Sequence, residues 1–357
     1  MHNFDVASFY QSALKDATVV SPIAGTGRKG LQRSIFTGYT DTSADEGLSW
    51  SMDGYINDFG IANLAAELAK SHAPDDAYGT HYADDAQYFR SRALSYVKLF
   101  QPGSQFFVGR NPDGSWRYSP AQFNPERWGG DYTETDGWNM AFHAPQDGAG
   151  LAALYGGRER LATKLDGLFG TPGHFDVGSY GGVIHEMLEA RDVRMGQYGH
   201  SNQPSHHLIY MYDFAGQPWK TQAALRQVLA TLWTNTPAGI PGNDDLGEMS
   251  SWYVWTALGL YPEIPGRAEL LVGSPLFTRA RIAGGGGELR IEAPGASAQN
   301  LYVHGLRLDG QAHAKPWLPA SLIAHGGELR FDLAAAPDPN WGSAAEDAPP
   351  SFGPPKG

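Results

Sequence analysis

The chain has 357 residues, room for about two domains at roughly 150 residues each, and carries 38 Asp and Glu against 26 Lys and Arg, a formal charge of −12. That acidic balance argues against a nucleic-acid binder or a binder of anionic membranes, since both need a basic face to displace counterions. Hydrophobic residues at 41% and aromatics at 12% supply a sizeable core, while the absence of cysteine removes disulfides, thiol nucleophiles and cysteine-based metal sites together.

The opening Met-His-Asn-Phe-Asp lacks the basic-then-apolar layout of a signal peptide, and no run reaches the about 18 apolar residues of a membrane span. Up to residue 262 the apolar positions recur three and four apart. Ile56, Phe59, Asn63, Leu64 and Leu68 mark an amphipathic helix, and residues 88–99, 161–168 and 225–232 read likewise, within about nine helices in all. Loops rich in Gly, Pro, Asp and aromatics separate them, notably 103–131 and 170–179. No βαβ alternation is visible, so a doubly wound nucleotide-binding fold is not expected. After Tyr261-Pro262 the pattern changes to short alternating runs at 279–282, 288–292, 301–303 and 329–333, punctuated as antiparallel strands. Gly-Glu-Leu-Arg-Ile at 287–291 and Gly-Glu-Leu-Arg-Phe at 327–331 read as two similar hairpin strands. The expected organisation is 1–262 helical, 263–342 β-rich and 343–357 a flexible tail, from a Pro, Ala and Gly-rich stretch that begins at Ala334.

Several familiar motifs fail. The glycines of residues 283–288 lack a following Lys-Ser/Thr and a helix, which makes them a hairpin tip and not a phosphate cradle. His185-Glu186-Met187-Leu188-Glu189 carries Glu where a zincin helix needs its second His. Adjacent His206 and His207 lie about 100° apart on a helix and cannot chelate one ion in the i, i+4 manner, so a structural role is their default. No Gly-x-Ser-x-Gly elbow occurs.

Three segments are richer in chemistry: Asp131-Tyr132-Thr133-Glu134-Thr135-Asp136-Gly137-Trp138-Asn139, the polar loop from Gly199 to His207, and the segment from Gly239 to Tyr253, a tight Gly/Pro turn that delivers Asp244 and Asp245 to the start of a helix. Taken singly, each is also what a helix cap or turn looks like. Together they join aromatic rings to acids and amides, the equipment for stacking on sugar faces and binding hydroxyls. Glycoside hydrolysis needs two carboxyl groups with opposite duties, one protonated and one ionised. Glu134 and one Asp of the 244/245 pair meet that need on separate helix starts.

These segments resemble glycoside hydrolase family 92, the calcium-dependent exo-acting α-mannosidases. Trp138, Phe142, Pro145 and Asp147 are similar to one family run. Ser201-Asn202-Gln203-Pro204-Ser205-His206-His207 is similar to Gly-Asn-Glu-Pro-Ser-His-His, and Gly242 to Tyr253 to Gly-Asp-Glu-Asp-x-Gly-x-Met-Ser-Ala-Trp-Tyr. Gly259-Leu260-Tyr261-Pro262 and Gly273-Ser274-Pro275 continue it; Phe4-Asp5, Lys15-Asp16-Ala17, Gly38-Tyr39 and Asp58 precede it. The likeness spans 4 to about 342.

The resemblance implies a mainly α fold: an (α/α)6 toroid, N-terminally incomplete, followed by a small antiparallel β-rich C-terminal region. It implies an inverting single displacement that hydrolyses terminal α-linked mannose in N-glycans and related glycans, with Glu134 as general acid, Asp245 as general base and Asp244 as a supporting carboxylate. Trp138, Asp58, His206, His207 and Trp252 would bind substrate. Ca2+, which in the family holds the mannose 2- and 3-hydroxyls, would be ligated by Asn202, Gln203 and Asn139. Asn139 stands where Gln is usual, Gln203 where the family has Glu, and Asn243 replaces a frequent Asp; the second change removes a charge from the calcium site. Family members begin with a β-sandwich and a complete twelve-helix toroid. The missing N-terminal β-sandwich and first toroid helices are therefore expected partners, whether the chain is a fragment or the remainder is a separate polypeptide, and an open toroid would expose apolar helix faces. The resemblance further implies a secreted or periplasmic location. The alternatives are a catalytically silent or carbohydrate-binding fragment, and another glycosidase on the same toroid.

Overall fold

A computed structural model describes residues 4–353, apart from residues 24, 193, 194 and 285. Packing divides the chain into two units, one of Met1–Gln146, Phe175–Gly182 and Pro265–Arg267, the other of Asp147–His174, Val183–Ile264 and Ala268–Gly357. These cut the chain differently from the compositional boundary at 262, because short segments return to earlier residues. Asp176 exchanges main-chain hydrogen bonds with Trp128 and Glu126 at 2.9 Å each, and the Asn63 amide donates to the Gly266 carbonyl at 3.2 Å.

The first unit holds α1 (Val6–Thr18), α2 (Leu31–Thr37), α3 (Gly47–Ser71), α4 (Tyr82–Ala93) and α5 (Gly137–Met140), with a hairpin of β1 (Phe100–Gln101) and β2 (Phe106–Phe107). Asp5 caps α1, its carboxylate accepting the Ser8 N–H at 3.0 Å. Along α3, Leu48, Met52, Tyr55, Phe59, Ala62 and Ala65 recur at three and four residues and are all buried. Ile61, Ala62 and Ala65 pack with Tyr10 and Ala17 of α1 and Tyr82 and Phe89 of α4. The helix expected over 88–99 ends at Ala93 and continues as a 3-10 helix, Ser95–Leu99. Large apolar side chains remain open to solvent in this unit, Phe36 at 86% exposure foremost. A groove of about 930 Å³ beside α1 and α3 is lined by Phe9, Trp50, Ile56 and Leu64 among others.

The second unit contains α6 (Gly148–Tyr155), α7 (Arg158–Gly170), α8 (His185–Asp192), α9 (Met211–Phe214), α10 (Pro218–Thr231) and α11 (Glu248–Ala257). Pro218 occupies the first turn of α10, where its missing N–H costs nothing. The strands follow: β3 (Leu260–Tyr261), β4 (Leu270–Val272), β5 (Arg279–Gly284), β6 (Gly287–Glu292), β7 (Tyr302–Leu308), β8 (Gln311–Ala312), β9 (Trp317–Leu318) and, after α12 (Ser321–His325), β10 (Gly327–Ala334). They form a five-stranded sheet, β5-β6-β10-β7-β8, and a three-stranded one, β3-β4-β9. Alternation places Leu289 and Ile291 of β6 and Leu329, Phe331 and Leu333 of β10 in one core with Val303, Leu306 and Trp341.

Two expectations are corrected here. The look-alike strands β6 and β10 are not equivalent hairpin arms: they pair side by side in parallel, Leu289 opposite Gly327 and Ile291 opposite Leu329, while the other pairings are antiparallel. Residues 343–353 are not a loose tail. The Ser351 hydroxyl donates to Asp147 at 2.6 Å and accepts the Ala149 N–H at 3.0 Å, which fastens it to the first turn of α6. Residues 354–357 of the expected tail, and Gly285 of the expected hairpin tip, lie outside the described residues.

One buried group has a consequence for stability. Glu263 is 2% exposed, neither of its oxygens has a hydrogen-bond partner, and the Thr221 hydroxyl donates to the neighbouring acid Asp213 at 2.6 Å. Burial, and for Glu263 the negative field of Asp213, push both carboxyls well above the ordinary range. The folded state thus keeps protons that the unfolded chain has released, and stability falls as pH rises past the unfolded values of about 4. Glu263→Gln should raise the melting temperature by roughly 2–4 °C at neutral pH, with the gain fading towards about pH 4; melts across pH read it.

Candidate active site

In the first unit the loop before α5 is anchored on both sides of Glu134. Asp131 is buried and accepts the Gly109 N–H and the Arg117 guanidinium, both at 2.9 Å. The buried Tyr132 hydroxyl donates to the Phe107 carbonyl at 2.7 Å, and the Thr133 N–H to the Ser49 hydroxyl at 2.9 Å. On the other side Asp136 caps α5, one oxygen accepting the Asn139 N–H at 3.0 Å and its side-chain amide at 2.9 Å. Burial lifts the Asp136 carboxyl to about 7, against the pull of those hydrogen bonds. Between these anchors Glu134 is exposed and left-handed, with φ 50°, a conformation that costs a non-glycine residue on the order of 1 kcal/mol or more. Its loop therefore presents a carboxylic acid on a main chain that its neighbours hold in an uncommon shape.

The other residues expected here divide. Trp138 is half-buried and stands edge-on to Phe106, ring centroids 5.0 Å apart. Asn139 is 1% exposed, and its amide nitrogen serves the Asp136 cap. Asp58, expected to touch substrate, is enclosed at 1% exposure within α3, with Arg28 at 2.6 Å and Arg92 at 3.0 Å. It ties two arginines together inside the unit, in keeping with its place on the buried stripe next to Phe59.

In the second unit Asn202 accepts the Gln203 N–H at 3.0 Å and so caps the 3-10 helix Gln203–Ser205. His206 follows at 2% exposure. Its Nδ1 lies 2.9 Å from a Glu248 carboxylate oxygen and its Nε2 3.0 Å from the His200 carbonyl, so both ring nitrogens face acceptors and the ring is held from both edges. Trp252, 1% exposed, donates its indole N–H to the His206 carbonyl at 3.1 Å. The Trp233 indole, which only donates, reaches His200 Nε2 at 3.3 Å; burial and His206 hold His200 well below the ordinary histidine range, hence neutral, with its Nδ1 proton given to Tyr198. His206 and Trp252, read from sequence as substrate contacts, thus form the inner wall of this loop; His207 is also buried, at 7%.

The acidic turn completes this unit's part. Asp244 accepts the Ser250 N–H at 2.9 Å and its hydroxyl at 2.8 Å, bracing the first turn of α11. Asp245, Leu246 and Gly247 then run left-handed in succession, with φ of 47°, 62° and 90°. Asp245 is exposed and accepts the Gln203 side-chain amide, so the polar loop steers its carboxylate. The structure therefore brings Asn202, Gln203, His206, His207, Asp244, Asp245 and Trp252 into one unit, and Asp58, Glu134, Trp138 and Asn139 into the other. Glu46, Tyr180 and Glu248 were not singled out from sequence: Glu46 and Tyr180 stand where no periodic or spacing signal marks them, and Glu248 has the look of an ordinary first-turn helix acid.

The sequence matches the glycosyl hydrolase family 92 catalytic domain over residues 1–335. The chain belongs to glycoside hydrolase family 92. Among solved family 92 structures, an inverting mannosidase of Bacteroides thetaiotaomicron is 32% identical, with TM-score 0.83 over 98% of this chain and 46% of that one. An α-mannosidase of the same organism, in complex with mannoimidazole, is 29% identical, with TM-score 0.84 over 98% of this chain and 43% of that one. An uncharacterized secreted glycosidase of Arthroderma benhamiae is 25% identical over 98% of this chain and 45% of its own length. The chain thus spans less than half the length of the family 92 proteins it resembles. It shares with the solved ones a mainly helical body and a small, largely antiparallel sheet region.

Proposed function

We propose that this chain is the catalytic part of an exported α-mannosidase that removes terminal α-linked mannose from glycans, N-glycans among them, by a single inverting displacement, and that its helices form part of an (α/α)6 toroid. The observation that carries this reading is the pair of exposed acids, Glu134 and Asp245, each in a left-handed main-chain conformation just ahead of a helix, Glu134 between anchored neighbours and Asp245 directly after the braced Asp244. In this role Glu134 gives its proton to the departing glycosidic oxygen, while ionised Asp245 takes a proton from the water that attacks the anomeric carbon on the opposite face. Asp244 holds the turn, Gln203 orients Asp245, and Trp138 offers an aromatic surface to the sugar. The relative described as secreted supports export.

A calcium ion would supply positive charge to hold and polarise mannose hydroxyls. Among the described residues no three His, Cys, Asp or Glu side chains gather as a metal site, so the ion would depend on neutral oxygens, which calcium accepts. The second unit offers them: Asn202, the Gln203 carbonyl oxygen and the Ser201 hydroxyl, which is buried without a hydrogen-bond partner, with Asp245 beside Gln203. Asn139 belongs to the other unit. Gln203→Glu should restore a charged ligand and tighten calcium binding about tenfold, while in chelator the new carboxylate beside Asp245 lowers the melting temperature. Calorimetric titration and melts with and without calcium check this without reference to turnover.

The deciding experiment for the function is proton NMR of the first product formed from an α-mannoside. Release of β-mannose supports the reading, and release of α-mannose refutes inversion. Mannoimidazole binding without any release would favour the silent, carbohydrate-binding alternative.

A further inference from the structure

Glu134 has a support in the first unit that its proposed role as acid does not itself require. Glu46, half-buried directly before α3, is the other acid of this unit with left-handed main chain, at φ 55°. The Tyr180 hydroxyl bridges the two: it accepts the Glu134 N–H at 2.8 Å and lies 3.1 Å from Glu46 Oε1. An amide N–H only donates, so the single phenolic proton is left for the Glu46 carboxylate, and the chain of bonds runs one way, from Glu134 through Tyr180 to Glu46. Burial first of all pushes the Tyr180 hydroxyl up to about 12, which keeps that proton in place.

Every part of the bridge is fixed from behind. The second oxygen of Glu46 accepts the Thr133 hydroxyl at 2.8 Å, and its N–H donates to the Gly130 carbonyl at 2.9 Å. Tyr180 ends the 3-10 helix Gly178–Tyr180, whose Ser179 hydroxyl accepts the Gly130 N–H at 2.7 Å. Gly178 is left-handed at φ 54°, and a Cβ there would stand 1.9 Å from the Trp128 carbonyl oxygen, so this approach needs glycine. The peptide plane entering Glu134 is thereby held at its N–H, and the direction of its side chain follows from that plane.

We propose that Tyr180 and Glu46 are positioning residues for Glu134, holding its main chain in the left-handed conformation that aims its carboxyl at the glycosidic oxygen. The inference rests on Glu134 being the general acid. A misplacement of about 1 Å at such a group costs up to about 100-fold in rate.

The test uses two substrates with the intact chain: a mannobiose, whose alcohol leaving group needs the proton, and 2,4-dinitrophenyl α-mannoside, whose leaving group does not. Tyr180→Phe should lower kcat on the mannobiose about 10–100-fold, leave KM within about twofold, and change the dinitrophenyl substrate by less than about threefold. Glu46→Ala should reproduce this, and Glu46→Gln, which keeps an acceptor for Tyr180, should restore most of the rate. Glu134→Ala is the reference, and adding Tyr180→Phe to it should cost nothing more on the mannobiose. Equal losses on both substrates from Tyr180→Phe and Glu46→Ala, or no loss on either, would overturn the positioning role while leaving Glu134 as acid. If Glu134→Ala itself shows no preference between the substrates, or the unmodified chain releases no mannose, the acid assignment falls and the positioning role with it. A Tyr180→Phe chain that does not fold leaves the decision to the Glu46 pair.

Discussion

Asp245→Asn should reduce hydrolysis of α-mannosides by about 10³-fold or more in kcat, with KM nearly unchanged, because it removes the group proposed to take the proton from water, a contact made only in the transition state. The substitution is gentle on the fold. Asp245 is exposed, its side chain accepts the amide donated by Gln203, and asparagine keeps an oxygen that accepts it. Asparagine is also among the few residues that tolerate the left-handed φ of 47° found there. The loss should therefore appear in turnover and not in the melting curve. Azide, a nucleophile that needs no deprotonation, should restore rate and yield β-mannosyl azide. Survival of more than a tenth of the activity in Asp245→Asn would remove this residue from the role of base.

The second large effect concerns Glu134. Glu134→Gln should lower kcat on a mannobiose by about 10³-fold, while leaving the main-chain bond to Tyr180 intact, since that bond uses the N–H and not the carboxyl. An acid works only while protonated, so the alkaline limb of the pH–rate profile should disappear in this variant. The base works only while ionised, so the acidic limb should disappear in Asp245→Asn. Loss of the opposite limb in either variant would exchange the two roles.

Much of the chain's local structure was legible before folding. Residues 47–71, 158–170 and 218–231 are helical where apolar side chains recur at helical spacing, and 279–284, 287–292 and 327–334 are strands where they alternate. The acids at 134 and 245 stood out because each sits among amides and aromatics at a helix start. What escaped was partner choice. Asp58, His206 and Trp252 have the side chains of a sugar site, and the fold gives them protein partners that no local pattern named: Arg28 and Arg92, Glu248, and the His200 ring. Residues 343–353 looked unstructured by composition, yet Ser351 finds Asp147 from 204 positions away.

By itself the sequence determined the family and the positions of the main helices and strands, and it marked out the two acids on which the proposed mechanism is built. These depend on residue types at short, regular intervals, where neighbours along the chain supply the physics. Tertiary structure alone decided that β6 and β10 run parallel, that Asp58, His206, His207 and Trp252 are buried, and that Glu46 and Tyr180 stand behind Glu134. Burial and hydrogen-bond partnership across 46 and 134 positions of chain, the separations that Tyr180 spans, arise only when distant segments meet, and no local pattern encodes which of them will.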